Sequence, residues 1–208
     1  VTKTHPADVV RDALAAGLQH VGENRVQEAE EKIAALQAER ERLTWHLIGH
    51  LQTNKVRKAA ALFDMIHSVD SLRLARALDR HCEEIGRRMP ALLQVNVSGE
   101  ATKEGFSLQG WREHRAILER FAEDVEQILA LPRLDVRGLM TIAPWSPVPA
   151  AARPVFALAR QLRDELVQRF PAVMWRELSM GMTDDFEVAI EEGATIVRVG
   201  RALFGARQ

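Results

Sequence analysis

Lys3 stands at the end of a short apolar start and is followed by Thr4-His5-Pro6. A lysine at the end of a first strand points its amine across the mouth of a barrel, where an aldehyde-bearing cofactor can be captured as an imine. Partial burial there lowers the amine's pKa and favours its nucleophilic form. Most lysines are surface solubilisers, so the case for this one rests on its position.

Two further stretches follow apolar runs near the other end of the chain. Ser179-Met180-Gly181-Met182-Thr183-Asp184-Asp185 offers a hydroxyl and a glycine at a strand end, and Arg198-Val199-Gly200-Arg201-Ala202-Leu203-Phe204-Gly205 brings a second glycine. Gly200 lets the backbone approach a ligand closely, and the N–H groups that open the next helix favour an anion. Either loop alone reads as an ordinary turn. Together, after the last two strands of a β/α barrel, they read as a phosphate cradle. Arg198 lies in the apolar run Ile196-Val197-Arg198-Val199, so its guanidinium must either point into the mouth or pair with Glu177 or Glu187. A pyridine nitrogen held by arginine stays unprotonated, because arginine is a donor that does not give up its proton. The ring is then a weak electron sink, which argues against transamination.

Elements to position these groups are legible as apolar runs alternating with segments of helical period. Strands are expected over 1–4, 19–22, 45–49, 65–69, 91–97, 134–142, 174–179 and 195–199. Helices are expected over 7–16, 23–42, 54–62, 71–85, 108–131, 150–170 and 184–192, with a stub from 201. In the fourth, Leu72, Ala75, Leu78, Cys82 and Ile85 form an apolar stripe, with Asp70 or Ser71 to cap its start and Gly86 its end. The long helix over 23–42 is mostly charged, with Glu28 and Lys32 spaced for an exposed ion pair. Eight β/α units at this length make a small (β/α)8 barrel, with a doubly wound open sheet as the competing arrangement. The first strand looks truncated, and about 25 upstream residues are expected by analogy with usual unit lengths.

Composition narrows the classes. The 208 residues, 47% hydrophobic and 27% charged, are read as one domain, 1–208. Twenty-eight basic side chains nearly cancel 29 acidic ones, so no overall field favours nucleic acid or an anionic membrane. Cys82 is the single cysteine, which excludes disulfide frameworks and multi-cysteine metal sites and fits a reducing, cytoplasmic setting. No apolar stretch reaches membrane-spanning length, and the chain is read as unprocessed. Tyrosine is absent, which removes one common acid/base group.

At this point the residues resemble the pyridoxal phosphate homeostasis proteins, whose fold is similar to the N-terminal barrel of alanine racemases. The resemblance runs along the whole chain: Thr2 to Pro6, Gly22-Glu23-Asn24-Arg25-Val26-Gln27-Glu28, Trp45 to Lys55, His67-Ser68-Val69-Asp70, Asn96 to Phe106, Gly138-Leu139-Met140-Thr141-Ile142, Ser179 to Phe186 and Arg198 to Gly205. Thr2 stands where serine is expected, and His50 at a position that varies. The resemblance implies pyridoxal 5'-phosphate held as an imine on Lys3. Its phosphate would rest on Ser179 and the backbone of Gly200 and Arg201, with Arg198 near the pyridine nitrogen and Asn24, Asn54 and Met140 lining the mouth. It implies a monomer that carries and buffers the cofactor, with pyridoxal phosphate-dependent apoenzymes as recipients and no assigned turnover.

The main alternative is a pyridoxal phosphate-dependent amino-acid racemase of weak or specialised activity. A two-base racemase needs a second acid/base on the opposite face, and with no tyrosine a histidine such as His50 would have to serve. A metal site on His46, His50 and His67 is disfavoured. Residues four apart along a strand share a face yet lie over about 12 Å apart. Asp184 and Asp185 read as helix-capping residues. The basic group Lys55, Arg57 and Lys58 reads as a solvated helix face, with no interleaved aromatics to stack bases.

Overall fold

The computed structural model describes residues 1–100 and 103–205; Ala101 and Thr102, inside the Asn96 to Phe106 stretch, and residues 206–208 lie outside the described residues. Strands β1 (His20–Glu23), β2 (Thr44–Leu47), β3 (Met65–Val69) and β4 (Met89–Asn96) are followed by β5 (Phe106–Ser107), β6 (Leu134–Met140), β7 (Glu177–Met182) and β8 (Ile196–Arg198). All pairings are parallel, in the order β1-β2-β3-β4-β6-β7-β8, with the two-residue β5 hung on β4. Helices α1 (Ala7–Ala15), α2 (Val26–Ala35), α3 (Val56–Leu62), α4 (Leu72–Glu84), α5 (Arg115–Leu129), α6 (Arg153–Arg169), α7 (Phe186–Glu191) and α8 (Arg201–Phe204) lie between and after the strands.

The sheet curls until its edges nearly meet, and the first residues of the chain bridge the seam. The Val1 nitrogen donates to the Val199 carbonyl at 2.6 Å, and the Thr2 amide donates to the Gly22 carbonyl at 3.0 Å. The arrangement is a nearly closed (β/α)8-type barrel, as the alternation of apolar runs predicts. The strand expected over 1–4 is only this bridge, because Thr4 turns away in the left-handed region at φ +67°. The seventh strand is displaced from its expected span of 174–179 to Glu177–Met182. Met174 is 64% exposed and Trp175 packs outside the sheet with its indole N–H on the Phe170 carbonyl, while pairing with β8 continues to Met182. The charged helix over 23–42 breaks at Leu36, and its second part, Gln37–Arg42, winds as a 3-10 helix.

Period-two alternation divides the strand side chains between two layers. Trp45, Leu47, Ile66, Leu93, Val95, Leu139, Leu178 and Met180 face outward and form the main core with α1–α7. A small inner group, Met65, Leu92 and Met140, packs inside the barrel. Helix α4 is capped as expected, with Ser71 Oγ accepting from the Leu74 amide at 3.3 Å and Gly86 ending it at φ +65°. Of the expected stripe Ala75, Leu78 and Cys82 are buried, while Leu72 is half-buried, Ile85 is 48% exposed and Leu74 takes the buried place beside them. A cap of this kind contributes about 1 kcal/mol, and each fully buried leucine about 1.5–3 kcal/mol.

Helices on the outside require strands that pass close together inside. At Gly138 in β6 an added Cβ would sit 1.8 Å from the Glu177 carbonyl oxygen in β7. The three nearest atoms all belong to the Glu177 backbone, so no flexible side chain can give way. Gly138→Ala is expected to destabilise the barrel by about 3 kcal/mol, read as a lower urea midpoint by circular dichroism; an unchanged midpoint would contradict this close contact.

Candidate functional site

At the carboxyl ends of the strands lies a cavity of about 420 Å³ whose lining includes Lys3, Asn24, Thr183, Arg198, Gly200 and Arg201. Lys3 is half-buried in the short turn that follows the seam. The turn is gripped from behind by α2. Lys32, 6% exposed, donates to the Thr2 carbonyl, Glu23 Oε1 and Glu28 Oε1, each at 2.7 Å. An ammonium has three N–H bonds, and all three are used. Thr2 Oγ1 donates to Glu23 Oε1 at 2.5 Å, and the Thr4 amide donates to Glu28 Oε1. Both neighbours of Lys3 are therefore tied to one ion network, which fixes the backbone from which the lysine projects.

This network corrects the expectation of an exposed Glu28–Lys32 pair on an outer helix face. The (i, i+4) spacing is right, but α2 turns that face to the barrel, where Glu23 is fully buried. Burial raises the Glu23 pKa despite the hydrogen bonds from Lys32 and Thr2. Burial acts on Glu28 too, but there the bonds from Lys32 and Thr4 prevail and its pKa falls. The signal available in the sequence was a glutamate ending one strand with Glu28 and Lys32 five and nine residues later.

The cradle differs in one residue from its expected form. Because β7 runs on to Met182, Ser179 lies within the barrel wall, fully buried, and its Oγ contacts His67 Nδ1 and Arg198 Nη1, both at 2.9 Å. The hydroxyl that stands in the mouth is that of Thr183, which receives a hydrogen bond from the Gly200 amide at 3.5 Å. Thr183 was missed because the strand end was placed at Ser179, three residues too early. Gly200 lies against the seam: a Cβ there would be 3.1 Å from the Val1 carbonyl oxygen. Arg201 forms an ion pair with Asp184 across the cavity edge. Met140, 1% exposed, is in the inner apolar group and not in the cavity wall, and Asn54 lines a separate depression with His50 and Asp70.

Arg198 is 7% exposed and enters from β8, with Nη1 on Ser179 Oγ and Nη2 on the Thr141 carbonyl, both at 2.9 Å. Burial lowers its pKa to about 10, so it remains a cation at neutral pH. Among the described residues neither Glu177 nor Glu187 forms an ion pair with it; Glu177 accepts from Thr195 instead.

His46 and His67, set aside as metal ligands, face each other inside the barrel with Nδ1 and Nε2 2.9 Å apart. One ring donates its N–H to the other's lone pair, so that contact is a hydrogen bond. His50 Nδ1 is 3.1 Å from Asp70 and 3.9 Å from Glu104, an ion-pair group at the rim whose three ligand atoms lie within 4.8 Å of one another. Burial, then His20, holds the His46 pKa down to about 4, with Asp64 opposing; burial, then His46 and Arg198, holds His67 well below 6.5.

The family described as "Alanine racemase, N-terminal domain" matches residues 1–208. A protein of Aquifex aeolicus named "Pyridoxal phosphate homeostasis protein" is 45% identical over 207 residues, covering 100% of this chain and 85% of its own. The structure of PipY from Synechococcus elongatus superposes with a TM-score of 0.88 without PLP and 0.83 with PLP bound. In both states it is 45% identical, covering 98% of this chain and 90% of its own. An alanine racemase of Clostridium difficile superposes with a TM-score of 0.76 at 14% identity, covering 96% of this chain and 48% of its own, which is a likeness of fold alone.

Two outcomes follow from the electrostatics. Lys32→Met leaves the buried Glu23 carboxylate without its cation and is expected to cost about 3–5 kcal/mol, measured by chemical denaturation, with partial recovery when Glu23→Gln is added. His46, with a folded pKa of about 4 below the ordinary 6.5, stays neutral while the unfolded chain takes up a proton as pH falls. Its contribution is therefore complete above pH 6.5 and lost on the way to pH 4, by roughly 3 kcal/mol. Urea midpoints between pH 7 and 4.5 should fall more steeply for the unsubstituted protein than for His46→Gln, and parallel slopes would contradict the assignment.

Proposed function

The chain belongs to the family of the pyridoxal phosphate homeostasis proteins, built on the barrel of the alanine racemase N-terminal domain, and from that premise we propose that it binds pyridoxal 5'-phosphate in the mouth cavity. What carries the proposal is that one cavity brings together Lys3, the Thr183 hydroxyl, the Gly200 and Arg201 backbone and the Arg198 guanidinium. These groups suit the cofactor's chemistry one by one. When bound, the cofactor supplies an aldehyde, and its condensation with an amine forms a C=N bond with loss of water. Lys3 is the amine, held at the seam by the Lys32 network. The Thr183 hydroxyl, itself held by the Gly200 amide, and the first amides of α8, which have no acceptor within the helix, are the donors for the phosphate.

Arg198 is the group on the remaining side. Pinned by Ser179 and Thr141 and cationic at neutral pH, it gives hydrogen bonds and accepts none, so a ring nitrogen facing it would be held as an acceptor. Such a ring withdraws electrons weakly, and this supports carrying and buffering of the cofactor over carbanion chemistry. His50, the acid/base considered for racemisation, lines a different depression, so no observation favours that reading. The half-buried Lys3 in an open cavity suits exchange of the cofactor with pyridoxal phosphate-dependent apoenzymes, and the proposal extends to a cytoplasmic monomer as the carrier.

The test is the visible spectrum of protein incubated with pyridoxal phosphate, followed by borohydride reduction and peptide mapping. An imine band that reduction fixes on Lys3 is expected, and Lys3→Ala should lose it while keeping the fold. Thr183→Val, which keeps the shape but not the hydroxyl, should weaken binding about tenfold, corresponding to a hydrogen bond to a charged group. No adduct on Lys3 would overturn the proposal.

A further inference from the structure

A row of hydrogen-bonded side chains crosses the inside of the barrel from its amino-terminal end to the cofactor site. His20 Nδ1 lies 2.9 Å from His46 Nε2, His46 Nδ1 lies 2.9 Å from His67 Nε2, and His67 Nδ1 lies 2.9 Å from Ser179 Oγ. Ser179 Oγ in turn accepts from Arg198 Nη1 at 2.9 Å. We propose that Ser179 and His67 are positioning residues for Arg198, and that the imidazole row runs in one direction only, with a proton on every Nε2 and none on any Nδ1. The inference rests on the reading that Arg198 faces the cofactor.

The direction follows from counting donors. A neutral imidazole carries one N–H, so each nitrogen pair in the row shares one proton and the row has two possible senses. Arginine only donates, so one lone pair of Ser179 is committed to Arg198. Were His67 to donate from Nδ1, Ser179 would accept twice and its own O–H would be stranded. Ser179 is fully buried, and among the described residues His67 and Arg198 are its side-chain partners. A buried hydroxyl without an acceptor is costly. In the other sense every proton is used: Ser179 O–H to His67 Nδ1, His67 Nε2–H to His46 Nδ1, and His46 Nε2–H to His20 Nδ1. The Nε2–H of His20, an exposed residue, is left for water.

The consequence for the site is that Ser179 must present a lone pair, and not its proton, to Arg198. Nη1 is anchored there and Nη2 on Thr141, so the plane of the guanidinium is set by the row behind it. A proton added to His67 would reverse the Ser179 hydroxyl and put a donor against a donor. The charged groups around the row are Asp64 beside His46, and Arg198 itself with Asp185 behind it. Arg137 and Glu177 border the lower cavity of about 490 Å³.

Three variants separate positioning from packing. His67→Asn places an amide oxygen near the Nδ1 position and keeps an acceptor for Ser179, whereas His67→Leu removes it; Ser179→Ala removes the hydroxyl with little change of volume. In cofactor-free protein, long-range nitrogen–proton NMR at pH 7 should show His46 and His67 as Nε2–H tautomers. The Arg198 side-chain N–H signal, slow to exchange, should be lost in Ser179→Ala. A proton on His67 Nδ1, or an unchanged Arg198 signal in that variant, would overturn the proposal whether or not the cofactor binds. In loaded protein, once borohydride has fixed the cofactor to Lys3 in the unsubstituted chain, His67→Leu and Ser179→Ala should move the visible band. Both should release cofactor about tenfold faster, with His67→Asn restoring both properties. Equal behaviour of the Leu and Asn variants would reject the positioning role, while a missing Lys3 adduct in the unsubstituted chain would reject the cofactor reading alone.

Discussion

Lys32 reaches from α2 through the back of the barrel wall and spends its three N–H bonds on the Thr2 carbonyl, Glu23 and Glu28. The segment on either side of Lys3 has few other anchors: the Thr2 amide holds Gly22, the Val1 nitrogen holds Val199, and Thr4 is bent into a conformation that non-glycine residues rarely adopt. A buried charge is tolerated only with full compensation, and here the ammonium meets that condition while Glu23 Oε2 does not, since among the described residues it has no hydrogen-bond partner. The network thus works as a specific latch, costly in desolvation and correct in one geometry. That geometry places the lysine amine in the cavity, and the rest of the site depends on it.

The opposite wall is organised by a different device. Arg198 is carried into an almost apolar interior by β8 and compensated by oxygens alone, from Ser179 and Thr141. Burial, then His20, holds His46 neutral, and burial, then His46 and the arginine's charge, holds His67 neutral, so Arg198 stands beside a row of neutral dipoles. Lys3 and Arg198 then face one cavity from two walls whose supports share no residue: a charged clamp outside the barrel for one, a neutral row inside it for the other.

The barrel was readable because strands buried on both faces give apolar runs and outer helices give the longer period, as in Ala75, Leu78 and Cys82 of α4. Lys3, Arg198, Gly200 and Arg201 were legible from their places at strand ends, and the structure brings them with Asn24 into one cavity. What was not legible depends on strand ends and on which way a helix turns. A three-residue displacement of β7 moved Ser179 into the wall and left Thr183 at the mouth. The face that α2 presents to the barrel decided that Lys32 is buried, although a charged helix has the same periodicity whichever side packs. Met140 and Asn54 lie on the expected elements, but the pleat turns one into the interior and a separate 3-10 helix, Thr53–Lys55, carries the other to another depression.

Val1 and Gly200 are in contact, so the residue before the lysine's turn and the first residue of the cradle are neighbours in space though 199 positions apart in sequence. A ribosome delivers the lysine almost two hundred residues before the cradle. The growing polypeptide therefore holds the amine long before the groups that would shelter it exist, and the pocket comes into being only when the last strand has emerged and docked along the seam. Any slippage that opens the seam dismantles both halves of the pocket together.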